Sequence, residues 1–212
     1  MRRVRLPLLF LEWWLVLLAG FTPERSHAQA TGAKQGLVDM LLEYMSVRYP
    51  GTHLHGDILY ISVQNQRLYH VRTGHLVNEY TISTSAHGLG GERDSYRTPV
   101  GLHYVRERIG AGEPPWSVFR ERSCTGELAD SCGAGASDVI TSRILWLSGM
   151  EAGLNAGGAV DSHARWIYIH GTADECSLGV PSSHGCIRMR NRDVIQLFDS
   201  VAVGTLVVIY DN

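Results

Sequence analysis

From Asp57 onwards the chain is written in short apolar runs separated by turn residues, and this pattern most constrains what it can fold into. Asp57–Val63 (DILYISV) is strand-like, the polar Gln64-Asn65-Gln66-Arg67 makes a turn, and Leu68–Arg72 returns as a second strand. Thr73-Gly74 turns again, into a third strand over 76–83. Such a meander has an apolar face that must be buried against a second layer. Later runs supply that layer, at 101–105, 144–147, 166–169 and 206–210.

Two segments have helical period instead. In 36–48 (GLVDMLLEYMSVR), Leu37, Met40, Leu41, Tyr44 and Met45 fall at i, i+3, i+4, i+7 and i+8, an amphipathic stripe that Pro50-Gly51 stops. In 191–201, Asn191 reads as the N-cap and Asp193 suits the positive end of the helix dipole. Val194, Ile195, Leu197, Phe198 and Val201 form its core face. The expectation is a mainly β fold with a few short helices and no internal repeat. The Gly- and Pro-rich region 107–141, with Trp116 and Phe119, has little periodicity, and a connection this long is usually functional or disordered. It is expected to cap a cleft and contribute to substrate selection.

The first thirty residues differ in kind. Arg2, Arg3 and Arg5 precede an apolar stretch, Leu6–Phe21, broken only by Glu12, and Ala28-Gln29-Ala30 is a small-x-small cleavage site. This is the pattern of a secretory signal peptide. An uncleaved anchor is the competing reading, but the apolar stretch falls short of the ~20 residues that span a bilayer. The organisation expected is a signal peptide (1–30) that engages the membrane only transiently, a helix and linker (31–56), and one catalytic domain (57–212). A chain of 212 residues is long enough for one well-cored domain, and a net charge of −2 gives no case for nucleic acid.

The chemistry concentrates in Ile169-His170-Gly171-Thr172 and Ser182-Ser183-His184-Gly185-Cys186-Ile187-Arg188-Met189. A thiol attacks only as thiolate, and an imidazole of near-neutral pKa is suited to take its proton. His170 ends an apolar run, where a strand edge would hold it rigidly. Gly185 removes a side chain just before the sulfur, so backbone N–H groups can approach a developing oxyanion. Arg188, two residues past Cys186, shares its face if the chain is extended, and a guanidinium grips a carboxylate bidentately. A surface ion pair is the plainer reading of Arg188. After the first thirty residues, the remaining histidines, His53, His55, His70, His75, His87, His103 and His163, sit in no motif.

These residues carry a resemblance. SSHGCIRMRNRDVIQLFDSV resembles the signature of L,D-transpeptidases of the YkuD type: a His-Gly pair, a spacer, then Ser/Thr-His-Gly-Cys, an aliphatic residue and Arg or Asn. Similarity extends through 65–85, 97–105, 142–149 and 204–211. The resemblance implies a β-sandwich-like catalytic domain, with Cys186 as nucleophile and His170 as base. His170 would be oriented by a backbone carbonyl near Gly171. Gly171, Ser183, His184, Gly185 and Arg188 would serve substrate binding or the oxyanion. It implies an exported, periplasmic enzyme that acts on peptidoglycan stem peptides through a thioester, without metal or cofactor, and is acylated by carbapenems. The acyl acceptor is left open between a second stem peptide, a wall-anchored protein, and water, which would make a carboxypeptidase; an amidase releasing such a protein is a further option. A non-catalytic wall-binding module is the distant alternative. A zinc site of His170, Cys176, His184 and Cys186 lacks ligand spacing. Export also permits disulfides. Cys124 and Cys132 flank a short polar loop, and either a bridge there or free thiols fits; Cys176 has no obvious partner.

Overall fold

Alternation along β1 (Asp57–Ser62) sends Leu59 and Ile61 to one side and Ile58 and Tyr60 to the other, and all four are buried. A strand buried on both faces needs cover on both, and the rest of the chain provides it. The computed structural model describes residues 23–130 and 139–212, with 23–33 as backbone only. The hydrophobic start of the expected signal peptide, residues 1–22, lies outside the described residues.

β1 pairs antiparallel with β2 (Arg67–Arg72), which pairs with β3 (His75–Ser83), and runs parallel to β10 (Leu206–Tyr210). β10 meets β4 (Gly101–Ile109), β4 meets β7 (Ile140–Gly149), and β7 meets β8 (Tyr168–Thr172). β8 then runs parallel to β9 (Ile187–Met189), which returns to β3. The 10-stranded sheet thus closes on itself through β4–β7 into a domain that is mainly β, as the alternation predicts, and sandwich-like, as the resemblance implies. Inside lie Leu59, Ile61, Leu145, Leu147, Ile169, Ile187 and Met189, together with Val194, Leu197 and Phe198 of α2 (Asn191–Ser200). Outside, α1 (Pro23–Arg48) lays Val38, Leu41 and Met45 on Ile58, Tyr60, Val71 and Val208.

Several expectations shift. The N-terminal helix begins at Pro23 rather than near residue 36, with proline at its first position, where the missing N–H is no loss. Its buried stripe is rotated: Val38 replaces Met40, which is 53% exposed. Region 107–141 is partly regular, because β4 runs on to Ile109 and a hairpin of β5 (Ser117–Arg120) and β6 (Ser123–Leu128) attaches to the start of β7. Asn191 is not the cap of α2; Arg190 holds that position in extended conformation, with no side-chain cap. The strand expected at 166–169 starts only at Tyr168, because Trp166 turns at φ +59° and is 59% exposed. Among the described residues, no helix is long and apolar enough to cross a membrane.

Candidate active site

The parallel register of β8 and β9 pairs Ile169 with Ile187, His170 with Arg188, and Gly171 with Met189. Side chains alternate along each strand, so Ile169, Ile187 and Met189 enter the core while Tyr168, His170 and Arg188 take the outer face. Cys186, one residue before β9, continues the outer row and packs in a cluster with Phe119, Ile144, Trp146 and Tyr168. His170 and Cys186, sixteen residues apart in sequence, are thereby brought to one face, the first on β8 and the second just before β9.

Cys186 is a half-buried thiol outside any disulfide. Its Sγ accepts the Tyr168 N–H at 3.4 Å and donates to the Trp166 carbonyl at 3.3 Å. His170 is 2% exposed, and its Nδ1 lies 2.8 Å from the Gly171 carbonyl oxygen. A carbonyl only accepts, so Nδ1 carries the proton and Nε2 is the basic nitrogen.

The loop before Cys186 is held by short polar contacts. Ser183 is 1% exposed; its hydroxyl donates to the Cys186 carbonyl at 2.6 Å and accepts the Gly185 N–H at 3.2 Å. Gly185 has φ +123°, and its carbonyl accepts from Thr98 Oγ1 at 3.0 Å. An L side chain there would be strained, which accounts for glycine. Ser183 is therefore a brace of the loop, remote from solvent. His184 is exposed and forms an open aromatic group with His87 and Tyr96, ring centroids 5.9 Å apart in each pair. This group borders a cleft of about 570 Å³ lined by Arg93, Asp94, Tyr96, Arg165, Trp166 and His184. Burial lowers the Arg165 pKa, opposed by the negative charge available at Cys186 and Asp94. Arg188 is 1% exposed, so it is not the surface residue that its plainer reading required.

Behind the imidazole lies a polar network that periodicity does not reveal. The Asn191 side chain, 1% exposed, accepts from Thr141 Oγ1 at 2.6 Å and Ser142 Oγ at 2.5 Å. Its Nδ2 donates to the Thr172 carbonyl at 2.8 Å and to Glu175 Oε1 at 2.9 Å, and its backbone N–H reaches the same Glu175 oxygen at 2.7 Å. Gly171 sits directly under it: a Cβ there would lie 2.6 Å from the Thr141 carbonyl and 2.8 Å from Asn191 Oδ1. At the head of a helix an asparagine reads as a cap, and that reading conceals this role.

The cysteines resolve differently from the loop bridge. Cys124 is a thiol, donating to Glu113 Oε2 at 3.3 Å, so it is not paired with Cys132, which lies outside the described residues. Cys176, which had no obvious partner in the sequence, is disulfide-bonded and so is not available as a zinc ligand. Among the described residues, no three His, Cys, Asp or Glu side chains are grouped to hold a metal.

Comparison with known proteins converges on one family. The sequence profile of the YkuD L,D-transpeptidase catalytic domain matches residues 56–209. YqjB of Bacillus subtilis is 43% identical over 70 residues, covering 26% of this chain and 40% of YqjB. ErfK/SrfK of Escherichia coli is 54% identical over 48 residues, covering 23% of this chain and 16% of that protein. Both carry provisional L,D-transpeptidase designations, and the matches span less than half of either relative. Among solved structures, L,D-transpeptidase 3 from Mycobacterium tuberculosis, in complex with a faropenem-derived adduct, aligns over 74% of this chain and 60% of its own, at 16% identity and TM-score 0.46. An L,D-transpeptidase from Mycobacterium smegmatis aligns over 73% and 58%, at 15% identity and TM-score 0.43. The profile match runs from the start of β1 to β10 and includes both the His-Gly and the His-Gly-Cys segments; this protein belongs to the YkuD family of L,D-transpeptidase catalytic domains.

Proposed function

We propose that the protein is an exported L,D-transpeptidase that works on peptidoglycan stem peptides in the periplasm through a thioester on Cys186. The observation that carries this reading is the single outer face shared by His170, Arg188 and Cys186, with His170 held as the Nδ1–H tautomer. His170 Nε2 takes the thiol proton, and the thiolate adds to the carbonyl that precedes the terminal D-residue. The oxyanion is received by backbone N–H groups of the Gly185–Cys186 segment. As the intermediate collapses, the C–N bond breaks and the imidazolium returns its proton to the departing amine. Attack by a second amine, again with His170 as base, releases the product and restores the thiol. A stem-peptide amine gives a cross-link, a protein amine gives wall attachment, and water gives carboxypeptidase action.

His184, on the open aromatic group, is assigned to substrate contact, and Gly171 and Ser183 to holding the imidazole and the thiol loop. Mass spectrometry of products from purified disaccharide-tetrapeptides tests the reading. Dimers that require both Cys186 and His170 are expected; tripeptides alone would reassign the enzyme to trimming. No product would overturn catalysis on these substrates.

A further inference from the structure

Arg122 stands at the tip of the β5–β6 hairpin, where Glu121 and Arg122 take φ values of +48° and +69°. Left-handed backbone at two consecutive non-glycine residues is uncommon and is held only where surroundings determine it. Here the turn brings the guanidinium back over the outer face of the sheet. Its central carbon lies 4.7 Å from the Trp146 ring centroid and 5.7 Å from that of Trp166, and Nη1 is 3.4 Å from the Tyr168 hydroxyl. Trp146 is itself stacked on His163, centroids 3.9 Å apart and planes 13° from parallel.

Each of these contacts is one step from the thiol. Trp146 and Tyr168 share the cluster that contains Cys186, and the Trp166 carbonyl accepts from its sulfur. Among the described residues, Arg122 forms no close ion pair with a carboxylate, and its only negative neighbours, Glu121 and Glu107, act on it from a distance. A guanidinium stacked on aromatic rings keeps its N–H edge available for a planar, bidentate acceptor. The carboxylate grip read from sequence at Arg188 falls on a side chain that is 1% exposed, whereas Arg122 is half-buried against Trp166, which lines the cleft.

We propose that Arg122 binds the free terminal carboxylate of the stem peptide's leaving D-residue. This rests on the transpeptidase reading above and names its carboxylate-reading group. That carboxylate is three covalent bonds from the scissile carbonyl carbon, so a cation that reads it must stand close to the thiol; Arg122 lies over the aromatic cluster in which Cys186 packs. The hairpin thereby admits chains that end at the fourth residue.

The test compares a stem tetrapeptide with its C-terminal carboxamide, using the whole protein. A charged hydrogen bond of ~1.5–3 kcal/mol predicts that wild type favours the acid by roughly 10- to 100-fold in kcat/KM. Arg122→Met keeps the apolar stem over the indoles and should reduce that preference to about 2-fold, mainly through KM, with Arg122→Lys in between. Iodoacetamide labelling of Cys186, read by intact mass, reports whether each variant retains its thiol site. A wild-type preference that persists in Arg122→Met overturns the proposal, as does equal wild-type turnover of both peptides. Turnover of neither peptide by wild type overturns the transpeptidase reading itself.

Discussion

His170 donates its Nδ1 hydrogen to the carbonyl of its own neighbour, Gly171, at 2.8 Å. The group that orients the imidazole is thus part of the same strand, and no acidic side chain is needed to fix the tautomer. Whatever holds the Gly171 peptide also sets the direction of Nε2.

Removing either member of the proposed pair should stop acyl transfer. Cys186→Ala is expected to abolish the covalent carbapenem adduct, and His170→Ala to slow its formation by roughly 10²- to 10⁴-fold, the usual contribution of a general base. Peptide mapping by mass spectrometry locates the adduct. An adduct on Cys124, the other described thiol, would show that the nucleophile is misplaced.

Gly171→Ala should damage both stability and activity. Its Cβ would meet two oxygens at 2.6 and 2.8 Å, both in buried, hydrogen-bonded surroundings with little room to give. Overpacking of this kind costs about 1–3 kcal/mol, and the displaced peptide would release the imidazole. Gly36→Ala, exposed in α1 with nothing within 4 Å, should instead stabilise the protein by ~0.5–1 kcal/mol. Urea denaturation of the two variants measures the opposite signs.

Asn191→Ala should leave the Thr141 and Ser142 hydroxyls and the Thr172 carbonyl without their buried partner. A cost of about 2–4 kcal/mol is expected, since each orphaned group loses about 1–3 kcal/mol with partial relaxation. Asn191→Asp should be at least as damaging at neutral pH, because it sets a second carboxylate against Glu175. That added penalty should shrink as the pH is lowered, which denaturation at pH 5 and 7 would register.

His103 makes the fold sensitive to acid. It is fully buried between the Gly101 carbonyl at 3.0 Å and Ser162 Oγ at 2.9 Å, and desolvation lowers its pKa from 6.5 to about 4. The unfolded chain therefore binds a proton between pH 6.5 and 4 that the folded protein refuses, so stability falls as pH falls through this window. The shift corresponds to about 3 kcal/mol, all of it lost by about pH 4. His103→Gln should flatten this part of the stability curve; an unchanged slope would mean another group carries it.

The strands of the meander were legible because period-2 alternation and turn residues are local signals. β1, β2, β3 and β10 lie within a residue or two of their expected bounds. β9 was not legible, since three residues (Ile187–Met189) carry too little pattern and owe their strand character to pairing with β8 and β3. The β5–β6 hairpin turns through Glu121-Arg122 in left-handed conformations that no Gly or Asn announces, so its region read as irregular. Along α1, alternative stripes were one residue apart, and only the facing sheet chose Val38 over Met40.

By itself, the sequence determined a mainly β domain and supplied the His-Gly and His-Gly-Cys segments, because side-chain period and residue chemistry are written along the chain. Tertiary structure alone decided which groups meet. The parallel register of β8 and β9 puts His170, Arg188 and Cys186 on one face; a slip of one residue would have sent Cys186 and Arg188 into the core. Folding likewise buried Arg188, laid Arg122 over Trp146 and Trp166, turned Asn191 from cap to support, and left Cys124 a thiol while Cys176 is bridged. Each of these depends on contacts between residues far apart in sequence, whose geometry is fixed only when the sheet closes.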